Sequence, residues 1–297
     1  MKNQDGSTPL DLARSEEKQD VVSFLSGPLD QSITELRDLI KEFEDLPRER
    51  KSCGNFIVDD NIWIINRDLA ILNLREVIKL FNRYPKVIDW SGKYRKTFTF
   101  GGSISRDYPE LKDAMACASE DGIWLDNDSF SLSLEEFRRM CLRGQRERMA
   151  RDGVRRNWLT HANAWEFQAV RHEFGHAFEF LFRYAMAERN EKYEDRTVYC
   201  REFKTFLLDF AKYEGWDETA PKMTEYGLTD DMEWFAESFA NAQNPLADEP
   251  FEEDPGVTRE ENERQKKMMN EARLVGRFAL SKASDFGYYS ALKPSPH

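Results

Sequence analysis

The pentapeptide His172-Glu173-Phe174-Gly175-His176 decides how the rest of the sequence is interpreted. Its two histidines are four residues apart, so in a helix their imidazoles project from one face and can bind a single metal ion. Glu173 lies to one side of that face, where a carboxylate can take a proton from a metal-bound water instead of binding the metal. The pattern therefore predicts a zinc site with a general base beside it.

The pentapeptide lies within a helical, aromatic-rich pattern that extends over residues 158–188. Apolar neighbours predict that this helix is buried: Phe174, Ala177, Phe178, Leu181 and Phe182. Two imidazoles on a buried helix are unfavourable without partners, and a metal ion satisfies both at once. The surroundings therefore support the prediction of a metal site.

Zinc in a catalytic site takes three protein ligands and leaves one position open, so a third ligand is required. One extended form of the motif has Gly and His three and six residues after the second histidine. This chain has Glu179 and Phe182 at those positions. The third ligand must therefore come from another helix.

The best candidate is a helix that begins near Thr229 or Asp230 and ends at 244–245. Its predicted buried stripe consists of Met232, Phe235, Ala236 and Phe239. Glu233 and Glu237 share a neighbouring face, and spacing alone does not decide which of them binds the metal. Glu233 could instead be the capping-box partner of Asp230, whereas Glu237 is suited to accept the free N–H of a liganding histidine.

Together the two segments resemble the catalytic domain of the anthrax lethal factor-like family of zinc peptidases. In that family H-E-F-G-H is followed by a Tyr, seven residues later by a liganding Glu, and then by F-F-A-E-A-F. Tyr226, Glu233 and the sequence W-F-A-E-S-F stand at the same intervals here. The resemblance covers about residues 160–245. It implies that Glu233 is the third ligand, that Tyr226 donates to the oxyanion of the tetrahedral intermediate, and that Glu237 supports a liganding histidine from behind.

Two departures from the family pattern leave the reacting groups in place. Trp234 stands where the family has Phe, and Asp230-Asp231 replaces an Asn-acidic pair. Physical reasoning alone would also allow Tyr226 to be a packing residue in a Gly-containing turn. Its catalytic role therefore depends on the resemblance.

The function expected from this resemblance is that of a zinc-dependent endopeptidase, in which Zn²⁺ activates water and Glu173 is the general base. The protein or peptide substrate would bind along an exposed strand edge, for which Trp124 and residues 122–131 are candidates. An effector or toxin-like protease is one form of this activity. Two alternatives remain open: a non-catalytic zinc protein of structural or assembly type, as in phage head-associated proteins, and an ankyrin-type adaptor.

The N-terminus predicts a separate small unit. Residues 5–13 and 21–25 resemble one ankyrin repeat, with a turn, a Thr-Pro helix start and a second helix. The same pattern would also fit an amphipathic helical hairpin without ankyrin ancestry. The predicted organisation is an ankyrin-like remnant or cap at 1–27, a helical segment at 28–92, and a zincin-like metallopeptidase domain at 93–292.

Capping and turn signals predict helices between these landmarks. Ser32 and Glu35 form a capping-box pattern after the Gly-Pro pair at 27–28, which predicts a helix that ends at 46–47. A broad apolar stripe predicts a second helix over Arg67–Tyr84. Both helices are expected to pack against the core.

The next segment predicts strands and another helix. Alternating aromatic residues indicate a strand at 93–101 that two glycines end, and a further strand at 122–126. Ser133 and Glu136 form a second capping-box pattern, which opens a helix that ends at 152–153. The predicted fold class is therefore α+β, mainly helical, with a small β-sheet in the zincin-like domain and an ankyrin-like helical hairpin before it.

Composition limits the partners and the compartment. The 297 residues carry a formal charge of -12, which would repel nucleic acid and anionic membranes unless basic residues were segregated, and no such patch is expected. No apolar run has the length of a signal peptide or a membrane span. A cytoplasmic protein is predicted, with delivery by a specialised secretion system still possible. The scattered cysteines predict free thiols: Cys53, Cys117, Cys141 and Cys200.

Overall fold

The structure is a computed structural model, in which the fold can be followed through most of the central part of the chain. The described residues are 19–49, 52, 54–85, 88, 97–111, 114–152, 168–177, 180, 229, 231–243, 258–260 and 263. Predictions for other residues, including Tyr226 and the ankyrin-like run before residue 19, lie outside this part of the chain and stay predictions.

Helices and a small sheet make up the described part, in agreement with a mixed, mainly helical fold. The α-helices are α1 (Gln19–Glu49), α2 (Arg67–Arg83), α3 (Ile104–Asp107), α4 (Asn127–Phe130), α5 (Leu134–Asp152), α6 (168–177) and α7 (Asp231–Gln243). The strands are β1 (Asn55–Val58), β2 (Thr97–Ser103), β3 (Ala116–Ser119) and β4 (Gly122–Leu125). Two 3-10 helices lie at Asp60–Trp63 and Pro109–Leu111.

The four strands form one sheet in the order β1-β2-β4-β3. β2 is parallel to both β1 and β4, whereas β3 pairs antiparallel with β4. The prediction that residues 122–131 supply a free strand edge is therefore wrong, because β4 has a strand on each side. Among the described residues, the outer strand beside β4 is β3, whose short run of small residues gave no strand pattern in the sequence.

An aromatic cluster joins one face of the sheet to the helices. Its rings are Phe43, Phe56, Phe81, Phe98, Phe100 and Phe174. The ring of Phe81 on α2 lies at the centre, 4.7 Å from Phe56 on β1 and 4.9 Å from Phe174 on α6 between centroids. Phe174 is the middle residue of the H-E-F-G-H motif, so the motif helix is anchored in the main core.

Two helix predictions are confirmed. α2 begins after Asn66, whose side chain accepts hydrogen bonds from the N–H groups of the first turn. α5 begins with the predicted capping box, in which the Ser133 hydroxyl accepts the Glu136 N–H at 3.3 Å. In return, the Glu136 carboxylate accepts the Ser133 N–H at 3.0 Å. Local side-chain chemistry sets both helix starts.

The helix start predicted at Ser32 is wrong, because α1 continues from Gln19 to Glu49. The capping-box side chains are used elsewhere: Ser32 accepts a hydrogen bond from Arg67 at 3.2 Å, and Glu35 pairs with Arg75. A proline inside a helix removes one backbone hydrogen bond, and burial of the apolar face of α1 offsets that loss. The proposed boundary at 27–28 lies within α1, and the ankyrin-like hairpin stays a prediction.

The strand end predicted at the two glycines is also wrong, because β2 continues to Ser103. The register between β2 and β4 shifts between Phe100 and Gly102, and Gly101 has a φ of 81°. A Cβ at Gly102 would lie 2.4 Å from the indole ring of Trp124. The glycines therefore mark an irregularity that admits a neighbouring ring, which local sequence does not distinguish from a strand end.

Charge segregation and free thiols were both predicted from the sequence. Eight arginines lie within residues 138–156, and the expectation that no basic patch is segregated stays a prediction. The described cysteines, Cys117 and Cys141, are free thiols as predicted. Within the described ranges, no helix is both long enough and apolar enough to cross a membrane.

Candidate metal centre

The three predicted ligand side chains meet between α6 and α7. The Nε2 atoms of His172 and His176 are 3.1 Å apart. Glu233 Oε2 lies 2.9 Å from the first and 3.3 Å from the second. Bonds of about 2.0–2.1 Å in a tetrahedral zinc site place neighbouring ligand atoms about 3.3 Å apart. The spacing and the donor set therefore fit one metal ion, and His172, His176 and Glu233 form a group that could hold it.

A glycine allows the two helices to come this close. A Cβ added at Gly175 would lie 2.9 Å from the Cα of Ala236 and 3.2 Å from its carbonyl oxygen. Such distances are shorter than ordinary carbon contacts, so a larger residue would push α7 away. The Gly of H-E-F-G-H is thus part of the geometry that lets Glu233 reach both histidines.

Glu237 occupies the opposite side of the first histidine. Its Oε1 lies 2.7 Å from His172 Nδ1, and the residue is only 1% exposed. A proton on Nδ1 donated to this carboxylate leaves the lone pair of Nε2 facing His176 and Glu233. The structure thereby separates the two glutamates that spacing left equivalent: Glu233 faces both rings, and Glu237 orients one of them from behind.

Glu173 is buried beside the ligand group and next to β3, the outer strand of the described sheet. Burial raises the pKa of its carboxyl group, although the neighbouring His172 and His176 oppose that shift. The carboxylate also accepts the backbone N–H of Ala118 on β3. A carboxyl group with a raised pKa, held in place but outside the ligand group, has the properties of a general base.

Without a metal ion, contacts among the ligand side chains shift the pKa values of His172 and Glu233. Burial lowers the pKa of His172, but contacts with Glu233 and Glu237 outweigh burial and hold the pKa well above its ordinary value. Burial raises the pKa of Glu233, but hydrogen bonds with His172 and His176 outweigh it and leave that pKa lowered. A proton on the rings partly replaces the positive charge that a metal would bring. Protons and metal therefore compete for this group.

Of the two remaining candidate residues, Trp124 is among the described residues and Tyr226 is not. Trp124 lies in β4, where its Nε1–H donates to Asp107 at 2.9 Å and its ring packs against Tyr108 at 5.0 Å between centroids. Its contacts lie within the sheet and the α3 turn, so it supplies no free strand edge. Tyr226 lies outside the described residues.

Sequence reasoning missed three contributors to the site. Gly175 was noted only as part of the motif, and the edge strand β3 with Ala118 was not predicted. The third is an ion pair between Arg171 and Glu76 on α2. Sequence could have signalled this pair, because each residue is a charge on a helix expected to be buried. A buried charge requires a partner.

Comparison with known proteins adds no further assignment. No family model, curated protein or solved structure matches the chain significantly. The interpretation of the site therefore depends on its own geometry.

Proposed function

We propose that the protein is a zinc-dependent endopeptidase. One observation carries the proposal: the side chains of His172, His176 and Glu233 converge within metal-ligand distance, with the buried Glu173 beside them but not among them. A structural zinc site uses four protein ligands, whereas a catalytic one uses three and keeps a position for water. Within the described part of the chain, three convergent ligands with an adjacent carboxyl group fit the catalytic type.

Each side chain has a distinct task in this proposal. His172, His176 and Glu233 would hold the ion. A zinc ion bound there would supply Lewis-acid chemistry, lowering the pKa of water to about 7 and polarising the peptide carbonyl. Glu173 takes the proton of the attacking water and returns it to the leaving amine. Glu237 holds His172 in the liganding tautomer.

The outer edge of β3, the last strand of the sheet within the described residues, would supply a surface for the substrate. An extended peptide can add to an exposed strand edge through main-chain hydrogen bonds. β3 is short and borders Glu173 through Ala118, so a peptide paired with this edge would bring a carbonyl group close to the base. The proposed substrate is accordingly a protein or peptide in extended conformation.

Two substitutions separate metal binding from chemistry. Glu173→Gln is expected to retain one zinc per chain and to lower the turnover of fluorescein-labelled casein about 10²- to 10⁴-fold, because the general base is lost. Glu233→Ala is expected to lose the zinc and the activity together. Zinc content is measured by atomic emission after dialysis, and Glu42→Gln, on the exposed face of α1, is the matched control.

Each contrary result has a definite meaning. Full casein turnover in Glu173→Gln would refute the assignment of the base. A wild-type protein that retains one zinc but cleaves neither casein nor a mixed peptide library would favour the non-catalytic zinc protein. A wild-type protein that binds no zinc would refute both.

A further inference from the structure

A buried ion pair also holds α6 against α2. Arg171 Nε lies 2.8 Å from Glu76 Oε1 of α2, and the two side chains are 3% and 7% exposed. The other carboxylate oxygen of Glu76 lies 3.4 Å from Lys79 Nζ, whose side chain is 60% exposed. Arg171 directly precedes His172, so the pair acts on the helix at the level of the first ligand.

Stability by itself gives a weak reason for such a pair. Removing two charges from water is unfavourable, and well-packed apolar residues of similar volume often stabilise a protein as well or better. An ion pair differs from apolar packing in being directional, because its hydrogen bond requires one relative placement of the two groups. The ring contacts of Phe174 with Phe81 and Phe239 lack such a requirement.

The metal site needs a narrowly defined rotation of α6. Side-chain atoms about 5–6 Å from a helix axis move by about 1 Å for a rotation of 10°. Metal–ligand distances must hold to about 0.2 Å. A rotation of a few degrees therefore weakens binding by His172 and His176 even when the helix stays folded.

We propose that Glu76 and Arg171 are positioning residues that fix the rotation of α6 about its axis, so that both histidines face Glu233. The inference rests on the proposed function, since it requires that this group binds metal. In this proposal the pair sets the geometry of the metal site, and the stability of the fold does not depend on it.

The test replaces both charges with apolar side chains of similar length, in the full-length protein. The double variant Glu76→Met with Arg171→Met is expected to keep the urea midpoint of the wild-type protein in chelator, because both members of the ion pair are replaced together by apolar side chains. Its zinc affinity, measured by competition with a chelating dye, is expected to fall at least about tenfold, as for other residues that orient metal ligands. The visible absorption of the Co²⁺ form should change in shape or intensity.

The matched control removes an exposed ion pair. Glu135 and Arg139 pair on α5 with side chains 74% and 69% exposed. The double variant Glu135→Met with Arg139→Met is expected to keep both the zinc affinity and the Co²⁺ spectrum of the wild-type protein. This control accounts for any general effect of two added methionines.

Contrary outcomes are distinguishable. A double variant at 76 and 171 with wild-type zinc affinity and Co²⁺ spectrum overturns the inference but leaves the proposed function intact. If that variant does not fold, Arg171→Lys decides, because it keeps the charge and changes only the geometry: unaltered metal binding in Arg171→Lys also overturns the inference. Wild-type protein that binds neither metal overturns the proposed function, and the inference with it.

Discussion

The two sides of α6 are built from different kinds of contact. On one side, Phe174 packs against Phe81 within a cluster of aromatic rings from α1, α2 and the sheet. On the other side, His172 and His176 face carboxylates of α7 at distances of 2.7–3.3 Å. Apolar burial stabilises the first contact without any further partner. The second brings together groups that could hold a metal ion.

This difference predicts that the two sides respond to different perturbations. Loss of an aromatic ring should lower stability whether or not metal is present. Loss of close packing or a change of pH at the α6–α7 contact should have effects that depend on metal.

The largest expected effect lies on the aromatic side. Phe81→Ala removes a fully buried ring that contacts Phe174, and the lost burial and the cavity should lower the free energy of unfolding by about 3–5 kcal/mol. Urea unfolding should give the same decrease in zinc and in chelator. The control Ile64→Ala, at a residue 67% exposed, should change stability by less than about 0.5 kcal/mol. A decrease for Phe81→Ala that appears only with zinc would contradict the comparison.

A smaller effect is expected where α6 touches α7. Gly175→Ala places a methyl group 2.9 Å from the Ala236 backbone, and this overpacking should cost about 1–3 kcal/mol and weaken zinc binding. Gly144→Ala is the matched control, because a Cβ there meets nothing within 4 Å. In a helix this control substitution should stabilise by about 0.5–1 kcal/mol. Equal zinc affinity in Gly175→Ala and the wild-type protein would show that the close approach does not serve the site.

The pH dependence of the melting temperature (Tm) should reverse its sign when zinc is added. His172 has a raised pKa in the metal-free fold, so its contribution to stability is fully present below its unfolded pKa of about 6.5 and is lost as pH rises through the folded pKa. The Tm in chelator should therefore decrease from pH 6.5 to 8. With zinc the Tm should increase over that range, because fewer protons compete for His172 and His176. Parallel pH profiles in zinc and chelator would contradict this prediction.

The smallest effects on stability are expected for the serines of the two capping-box patterns. Ser133 caps its own helix, whereas the contact of Ser32 depends on a neighbouring helix. Ser133→Ala removes the helix cap of α5 and should cost about 1 kcal/mol. Ser32→Ala removes a hydrogen bond from Arg67 in the middle of α1 and no helix cap, so the cost should stay below about 0.5 kcal/mol. Urea midpoints measure both, and equal losses would contradict the assignment of different roles to the two capping-box patterns.

These two serines also show how far local patterns can be trusted. Ser32 with Glu35 and Ser133 with Glu136 have the same spacing, yet only the second pair caps a helix. The first pair contacts Arg67 and Arg75 of α2 instead. The choice depends on a neighbouring helix that local spacing does not describe.

The candidate site also combines features that local spacing predicts with features that only the fold decides. Spacing was sufficient to predict that His172 and His176 share a helix face and that Glu173 lies beside it, since a helix repeats every 3.6 residues. Spacing was not sufficient to choose between Glu233 and Glu237, for which the motif resemblance was needed. It also failed to identify β3 as the strand edge next to Glu173, because pairing between strands is not a local property.

The sequence by itself therefore determined which side chains share a helix face, because that depends on a fixed backbone period. Only the tertiary structure decided which faces meet. The approach of α7 at Gly175, the ion pair of Arg171 with Glu76, and the contact of Ala118 with Glu173 join residues far apart in the chain. Such contacts follow from how burial, charge and chain connectivity are satisfied together, and no spacing within one segment encodes them.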